Sequence, residues 1–386
     1  MTADAQSVPE TADVVVVGAG ITGLSVALHL AESGVRPLVL ERSGIAAEAS
    51  GVQPGGVRQQ WSSKLSCELA RESFGVYRDL DARLEVGLPL RFGECGYLLV
   101  AHGEERLRRL EQIVALQNEV GVPSRIVGPD EAAELAPGLD AAAVVGASWC
   151  AEDGYFDRPQ TVVEAFAQAA QARGARIELA EVVSLAPDGA GWRVELRGGS
   201  AVRTEAIVVA AGYDAPVLLA PLGVELPIAR EARHLFFSDP IRERILEPLV
   251  VSAEWHFAAK QLADGRVLAS DLSAAGDPEQ GRATWREHVR GVVDRLLPVL
   301  THVSFPLLVT GFYDVTPDNQ PILGPVAGLE GLHVAAGFSG HGFMLAPAVG
   351  RRVASAALGG ALDPVLQDLS LDRFATGSPH LELETV

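Results

Sequence analysis

Apolar positions along this chain fall into two rhythms. Short continuous or alternating runs read as strands, and apolar residues three and four apart read as helices. Residues 14–17 are four valines, a buried strand, and Leu24, Ala27, Leu28 and Ala31 then mark one face of a helix. Gly34 closes that helix, and residues 37–40 read as a second strand ending in Glu41. Between first strand and helix stand Gly18, Gly20 and Gly23, spaced Gly-x-Gly-x-x-Gly with Ala19, Ile21 and Thr22 among them. Such a unit is built to hold a dinucleotide. The first glycine allows the tight turn, the second lets a pyrophosphate approach the backbone, and the third lets helix and strand pack closely. The helix N-terminus adds free N–H groups and a partial positive charge. Glu41 lies 18 residues past Gly23, near the spacing expected of the acid that holds a ribose hydroxyl.

Residues 43–60 form a Gly- and Ala-rich loop directly after that acid, placed to run along the rest of a long cofactor. Helices are expected over 64–86, 104–120 and, opened by Asp157-Arg158-Pro159, to about Arg173. Strands are expected over 91–100, 143–149, 176–185, 191–196 and 201–210, the last ending in Ala210-Ala211-Gly212. That ending brings backbone close to something, a bulge being the alternative. From Leu218 to Phe312 the texture changes to strands at 234–238, 255–261 and 266–270 with one helix at about 278–297, an antiparallel sheet carrying a site. The chain then returns through Tyr313-Asp314-Val315-Thr316-Pro317-Asp318, a strand at 332–336, and Gly337-Phe338-Ser339-Gly340-His341-Gly342-Phe343-Met344 before a last helix. Residues 376–386 are expected to be loose.

With 386 residues and 48% apolar content, two domains with real cores are expected. A net charge of −19 argues against nucleic acid or an anionic membrane as partner. Cys67, Cys95 and Cys150 are scattered without metal or disulfide spacing, so no metal site is expected. No apolar run is long enough to span a membrane; residues 343–362 are interrupted by Arg351-Arg352 and read as a core helix. The start of the chain, 1–12, is polar and acidic, unlike a signal peptide. Only Lys64 and Lys260 are lysines among 31 basic residues, a bias that, with so much Ala and Gly, suggests a GC-rich bacterial genome, and a cytoplasmic protein is expected.

The second Gly-rich loop, residues 337–342, opens a helix and offers another anion-accepting N-terminus. A nicotinamide cofactor needs one such loop, whereas a flavin also needs a dipole at the pyrimidine end of its ring. Two loops at opposite ends of the chain favour FAD. At this point the sequence resembles the D-amino-acid oxidase-like superfamily of FAD enzymes, which includes glycine oxidase, sarcosine oxidase and D-amino-acid dehydrogenase, and most of all its sarcosine oxidase and proline dehydrogenase β-subunit-like members. Residues 18–41, 50–61, 206–212 and 313–344 carry the match, with Gly-Gly-Val-Arg-Gln-Gln-Trp, Thr-Pro-Asp-x-x-Pro-Ile-Leu-Gly and Gly-Phe-Ser-Gly-His-Gly-Phe as its specific blocks.

The resemblance implies a glutathione-reductase-type, Rossmann-like α/β FAD-binding domain (1–84, 146–217 and 313–386) and an antiparallel-sheet substrate domain (85–145 and 218–312). Gly18, Gly20, Ile21, Thr22 and Gly23 would hold the pyrophosphate, Glu41 and Arg42 the adenosine ribose, and Ser50 and Gly51 would sit near the phosphates. Val57, Arg58 and Gln59 would lie beside the isoalloxazine, Val183 would meet the adenine, and Ala211 and Gly212 would pass close to the cofactor. Gly340, His341, Gly342, Phe343 and Met344 would face the pyrimidine edge. The implied chemistry is oxidation of the C–N bond of an amine or N-substituted amino acid by hydride transfer to flavin N5, giving an imine that hydrolyses. Electrons would pass to O2 or another acceptor, in a homo-oligomer or a subunit of a larger flavoenzyme.

Departures from the family pattern bear on the substrate. Where sarcosine oxidases carry a second Arg after the Arg58 position this chain has Trp61, where they carry Lys it has Met344, and where glycine oxidase carries Arg it has Tyr313. Either Arg91, Arg230, Arg233 or Lys260 substitutes for these carboxylate clamps, or the substrate is bulkier or lacks the carboxylate. Trp61 and Tyr313, with Gln60 nearby, would make an aromatic wall. Gly311 stands where a flavin-bonding Cys occurs in relatives, so FAD is expected to be non-covalent. The oxidase lysine over N5 is expected to be replaced around Val267. Arg58, Tyr313, His341 and His256 are the candidate catalytic residues; for His256, a lone His in a strand, a structural role is the alternative. Two other readings stay open: oxidation of a 2-hydroxy acid, and a non-catalytic flavin-bearing subunit or assembly factor.

Overall fold

The computed structural model describes residues 8–377 and 379–383. In chain order, β1 (Thr11–Val17), α1 (Ile21–Glu32) and β2 (Leu38–Glu41) form the opening βαβ unit. β3 (Gly56–Val57), α2 (Lys64–Arg78) and α3 (Leu80–Leu84) follow, then β4 (Phe92–Glu94), β5 (Tyr97–Ala101), α4 (Glu104–Glu119) and β6 (Arg125–Val127). α5 (Pro129–Leu135), β7 (Gly146–Cys150), β8 (Gly154–Phe156) and α6 (Pro159–Ala172) lead to β9 (Arg176–Leu179), β10 (Val182–Asp188), β11 (Gly191–Leu196) and β12 (Ala201–Val209). After α7 (Ala215–Leu219) come β13 (Ala229–Phe237), β14 (Leu249–Ser252), β15 (Phe257–Gln261), β16 (Val267–Asp271) and α8 (Pro278–Leu296). The chain returns through β17 (Leu307–Val315), β18 (Ile322–Pro325), β19 (Leu332–Ala336) and α9 (Gly342–Ala357).

The first sheet runs β10-β11-β12-β1-β2-β9, with β19 beside β12 and β18 beside β19. β1 pairs in parallel with both β12 and β2, so it lies at the centre. This is why its sequence is a continuous apolar run: Val14 and Val16 join the core under α1, α6 and α9, while Val15 and Val17 join the core on the other face. Helix α1 is pressed against α9 where a Cβ on Gly350 would stand 2.2 Å from Ser25 Oγ.

The second sheet runs β17-β13-β16-β15-β14-β5-β7-β6 and is covered by α8, which buries Trp285, Val289 and Leu296 against it. It is antiparallel except for one pair, since β14 lies parallel to β5. Two expected domain boundaries shift here. Strand β7 begins at Gly146 and pairs with β5 and β6, so the segment from 146 opens in the substrate sheet. Strand β17 stays in that sheet through Val315, with Tyr313 paired to Glu231. The strand expected over 91–100 is broken at Cys95-Gly96 into β4 and β5, because Gly96 turns under the Trp149 ring at φ +81°. A small sheet of β3, β8 and β4 joins the two bodies.

The end of the chain, expected to be loose, is docked over 379–383, while residues 384–386 lie outside the described residues. Glu382 is buried, and its Oε1 accepts from Ser62 N at 2.8 Å and Ser62 Oγ at 2.5 Å. Asn319 Nδ2 donates to its carbonyl at 3.1 Å. Among the described residues no helix is long and apolar enough to cross a membrane.

Candidate functional site: a dinucleotide trough with an inner cavity

A trough of about 410 Å³ opens at the carboxyl ends of β1, β2, β12 and β19. At roughly 10–15 Å³ per water-sized group, it holds some thirty to forty such groups, the scale of a dinucleotide. Its floor is the turn from β1 into α1. Gly18 sits at φ +107°, and a Cβ there would stand 2.5 Å from Ala210 O. Ser50 Oγ accepts from Ile21 N at 3.0 Å, which ties residues 43–51 to the helix N-terminus. Glu41 accepts from Ala19 N and Ser43 N, each at 2.8 Å, so its carboxylate is fixed at the end of β2 by the Gly-rich turn itself. Across the trough Arg42 Nη2 meets Asp214 at 2.7 Å, and Tyr213 Oη donates to Glu48 at 2.6 Å.

The expected cofactor residues divide into three groups, one of which, Arg58, His341 and Met344, lines an inner cavity. Gly18, Gly20, Ile21, Thr22, Glu41, Arg42, Ser50, Val183, Ala211, Gly212, Gly340, Gly342 and Phe343 line the trough. Gly23, Gly51, Val57 and Gln59 do not. Gly23 is the close-packing glycine, with Gly18 O 2.1 Å from where its Cβ would be, and Gly51 makes a turn against Ala46 O. Val57 is in the core, and Gln59 is buried with its N–H on Asp153 at 2.8 Å. Asp153, which spacing gave no reason to single out, fixes this loop: buried completely, it also accepts from Gln60 Nε2 at 3.1 Å, and burial pushes its carboxyl up to about 6.

At the far end lies an inner cavity of about 80 Å³. Arg58, Tyr313, His341, Lys260 and Met344, all candidates from sequence, line it together with Tyr97, Arg233 and Leu268. Tyr313 and Gly340 also line the trough, which makes the two spaces neighbours. The loop 337–341 wraps Tyr313 closely, since a Cβ on Gly340 would stand 2.3 Å from its ring. Arg58 is buried, donates to Gln60 O at 2.9 Å and lies 3.9 Å over the Trp61 ring. Burial, with Arg58 adding to it, lowers His341 to about 3, and its Nε2 is enclosed without a partner. Burial raises the Tyr313 hydroxyl, which therefore stays protonated. Asp314 accepts from Gly337 N at 2.7 Å behind the loop, and burial pushes it up to about 6.

Several expectations fail here. His256 lies in an exposed turn before β15 at φ +47° and lines neither space. The pattern around it looked like a strand because Trp255 is partly buried against α8. Trp61 is not a cavity wall: it stands behind Arg58, edge-on to His341 at 4.3 Å. Gln60 is likewise behind the cavity, held by Tyr97 O, Asp153 and Ser148 Oγ. Of the four substitute cations, Arg91 is exposed and Arg230 stacks on Phe312 at 3.6 Å, while Arg233 and Lys260 reach the cavity. Val267 points into the core under α8, and Leu268, the next residue, faces the cavity instead.

The residues fit a flavin dinucleotide: the trough has its size, two helix N-termini face it, and a buried guanidinium stands at its inner end. A family model described as DAO, FAD dependent oxidoreductase, matches residues 13–356. The chain belongs to this family. FAD is accordingly the cofactor. The structure titled L-proline dehydrogenase from P. horikoshii is 27% identical, superposes with a TM-score of 0.89, and covers 97% of this chain and 100% of that one. Bovine (Bos taurus) FAD-dependent oxidoreductase domain-containing protein 1 is 28% identical over 97% of this chain and 87% of its own length. Mouse (Mus musculus) mitochondrial sarcosine dehydrogenase is 28% identical over 96% of this chain, and this chain spans 42% of its length.

Proposed function

We propose that the protein oxidises the C–N bond of a small amino acid, one whose nitrogen bears a carbon substituent, with FAD held non-covalently. The observation that carries this reading is the inner cavity: about 80 Å³, lined by Arg58, Arg233 and Lys260 and by no carboxylate. That volume accepts roughly five to eight non-hydrogen atoms, and its charge selects an anion. FAD, when bound, supplies the hydride acceptor. Arg58 keeps a fixed positive charge where negative charge grows on reduction. Neutral His341 offers its enclosed Nε2, and Tyr313 a protonated hydroxyl, to the polar edge of whatever enters. The cysteines support non-covalent binding, for Cys67, Cys95 and Cys150 line neither space. Proline and sarcosine, in the names of two of the relatives, are both secondary amines, which supports the substituted nitrogen. The arginine bias supports a bacterial source.

A 2-hydroxy acid of the same size and charge meets the same cavity, and the reaction product separates the two readings. The enclosed, cation-lined cavity weighs against a purely structural subunit. The test is anaerobic. The yellow protein is mixed with N-methyl amino acids, proline, primary amino acids and 2-hydroxy acids while the oxidised-flavin band is followed. Bleaching by a secondary amino acid is expected; recovery in air identifies O2 as acceptor, and none points to another. Bleaching by hydroxy acids alone, or by nothing, refutes the proposal.

A further inference from the structure

Lys260 is the buried lysine of the chain; Lys64, the other, is exposed and meets Glu119 at 2.6 Å. On β15 it donates to Pro54 O and lies 3.7 Å from the centroid of the Tyr155 ring. An ammonium has three protons to place, and among the described residues no carboxylate comes within ion-pair reach of this one. Register fixes where it stands relative to the other movable cation. Lys260 pairs with Leu268, Leu268 pairs with Phe237, and Arg233 lies four residues back along β13. The two Cα atoms are thus roughly 16 Å apart, two strands across and four residues along. Arg233 is half-buried and already engaged with Glu231 at 2.8 Å, whereas Lys260 is wholly enclosed. A lone buried cation is costly unless it loses its proton or gains an anion. Burial indeed holds this ammonium down at about 7, with Asp157 and Cys95 pulling it up and Arg244 down.

We propose that Lys260 is the seat of the substrate's carboxylate, replacing the clamp positions occupied here by Trp61, Tyr313 and Met344, and that the anion and the ammonium form together, each carboxylate bound drawing one proton into the cavity. This rests on the amino-acid reading above and adds to it an acid requirement and a proton coupling. The neighbouring groups whose ionisation is shifted, in the cavity wall or behind it, stay outside the window from pH 7 to 9. Burial raises Tyr97, Tyr155 and Tyr313, Cys95 is pushed up to about 11, and His341 down to about 3. Asp153 and Asp314 are at about 6. Arg58 and Arg233 are the guanidinium groups of the cavity wall, and Arg244 stands behind it on Tyr155 Oη at 2.8 Å.

Furan-2-carboxylate, which has no amine to oxidise, and furan-2-carboxamide are titrated into the FAD-loaded protein at pH 7, 8 and 9, with the flavin spectrum as readout. The Kd of the acid should rise roughly 50-fold from pH 7 to 9, the consequence of a folded pKa of about 7. The amide should bind weakly and without pH dependence. In weak buffer at pH 8 the acid should draw in about 0.9 proton per site. Lys260→Arg should bind the acid tightly and flatly through pH 9, and Lys260→Met weakly and flatly with no proton uptake. Should Lys260→Met fail to hold FAD, the contrast between wild type and Lys260→Arg decides. A wild type whose Kd does not change with pH, that binds the amide equally, or that binds neither probe at millimolar concentration overturns the proposal. So does a Lys260→Met profile like the wild type. Proton-coupled acid binding without reduction by any amine would keep this inference and remove the oxidation reading; amine turnover with a flat acid profile would do the reverse.

Discussion

Gly20 and Gly23 stand three residues apart in one turn, and the structure gives them separable jobs. A Cβ on Gly23 would lie 2.1 Å from Gly18 O and 3.3 Å from Ala210 Cβ. Backbone on one side and a rigid alanine methyl on the other leave no flexible group to yield, and the nearer contact is about 1.4 Å short of ordinary separation. Gly23→Ala must push α1 off β1, at about 1–3 kcal/mol for overpacking, and must also displace the helix N-terminus that receives the phosphates. A Cβ on Gly20 meets only Ser50 Oγ, at 3.1 Å, and its φ of −73° suits alanine. Apoprotein stability should therefore change by less than about 0.5 kcal/mol in Gly20→Ala. Yet Gly20 lines the trough, so its new methyl stands where the pyrophosphate approaches. Losing one charge-assisted hydrogen bond of about 1.5–3 kcal/mol weakens FAD roughly ten- to a hundredfold. Thermal melts of the two apoproteins and FAD titrations by fluorescence quenching measure both quantities. Gly20→Ala with wild-type FAD affinity would show that the phosphates do not pass that carbon. Gly23→Ala with wild-type stability would refute the close-packing argument.

Two further predictions concern buried charge. Arg373 and Asp318 form an enclosed pair, Nε to Oδ2 at 2.8 Å and Nη2 to Oδ1 at 3.0 Å, that holds the Thr316–Gln320 turn beside the flavin loop. Arg373→Ala should cost about 3–5 kcal/mol by stranding the carboxylate, read by denaturant unfolding; a loss under 1 kcal/mol contradicts the pairing. Asp314, pushed up to about 6 from 3.8, keeps in the folded apoprotein a proton that the unfolded chain releases. Its contribution to stability therefore falls as pH rises from about 4 to about 6, by about 3 kcal/mol in all. Asp314→Asn should gain that much relative to wild type over the same window in thermal melts, and parallel profiles would sink the assignment.

Much of the fold was legible because local pattern and burial agree. The four valines form β1, the three glycines form the turn into α1 and its first residues, and Glu41 ends β2, and the helix after Pro159 and the strands at 191–196 and 201–209 lie where their periodicity put them. The inner cavity was legible only in part. Arg58, Tyr313 and His341 were found through motifs, but which further cation reaches the site depends on register across β13, β16 and β15, and β13 and β16 are separated in sequence by two strands, so no connecting turn sets their pairing. Asp153 was invisible because its partners lie 93 and 94 residues away. His256 misled because half-buried turns beside strands carry the same alternation as strands. The tail misled because nothing local in it announces a partner, while Ser62 and Asn319, far away in sequence, bind Glu382.

That last contact has a consequence for how the protein is made. Ser62, directly after the Arg58–Trp61 stack, receives its buried partner from a residue 320 positions later. During synthesis the Gly-rich turn at residues 18–23 is made long before residue 382, so the loop beside the flavin lacks this partner until Glu382 has emerged. Nascent chains that have not reached Glu382 therefore carry the cofactor seat begun and not closed.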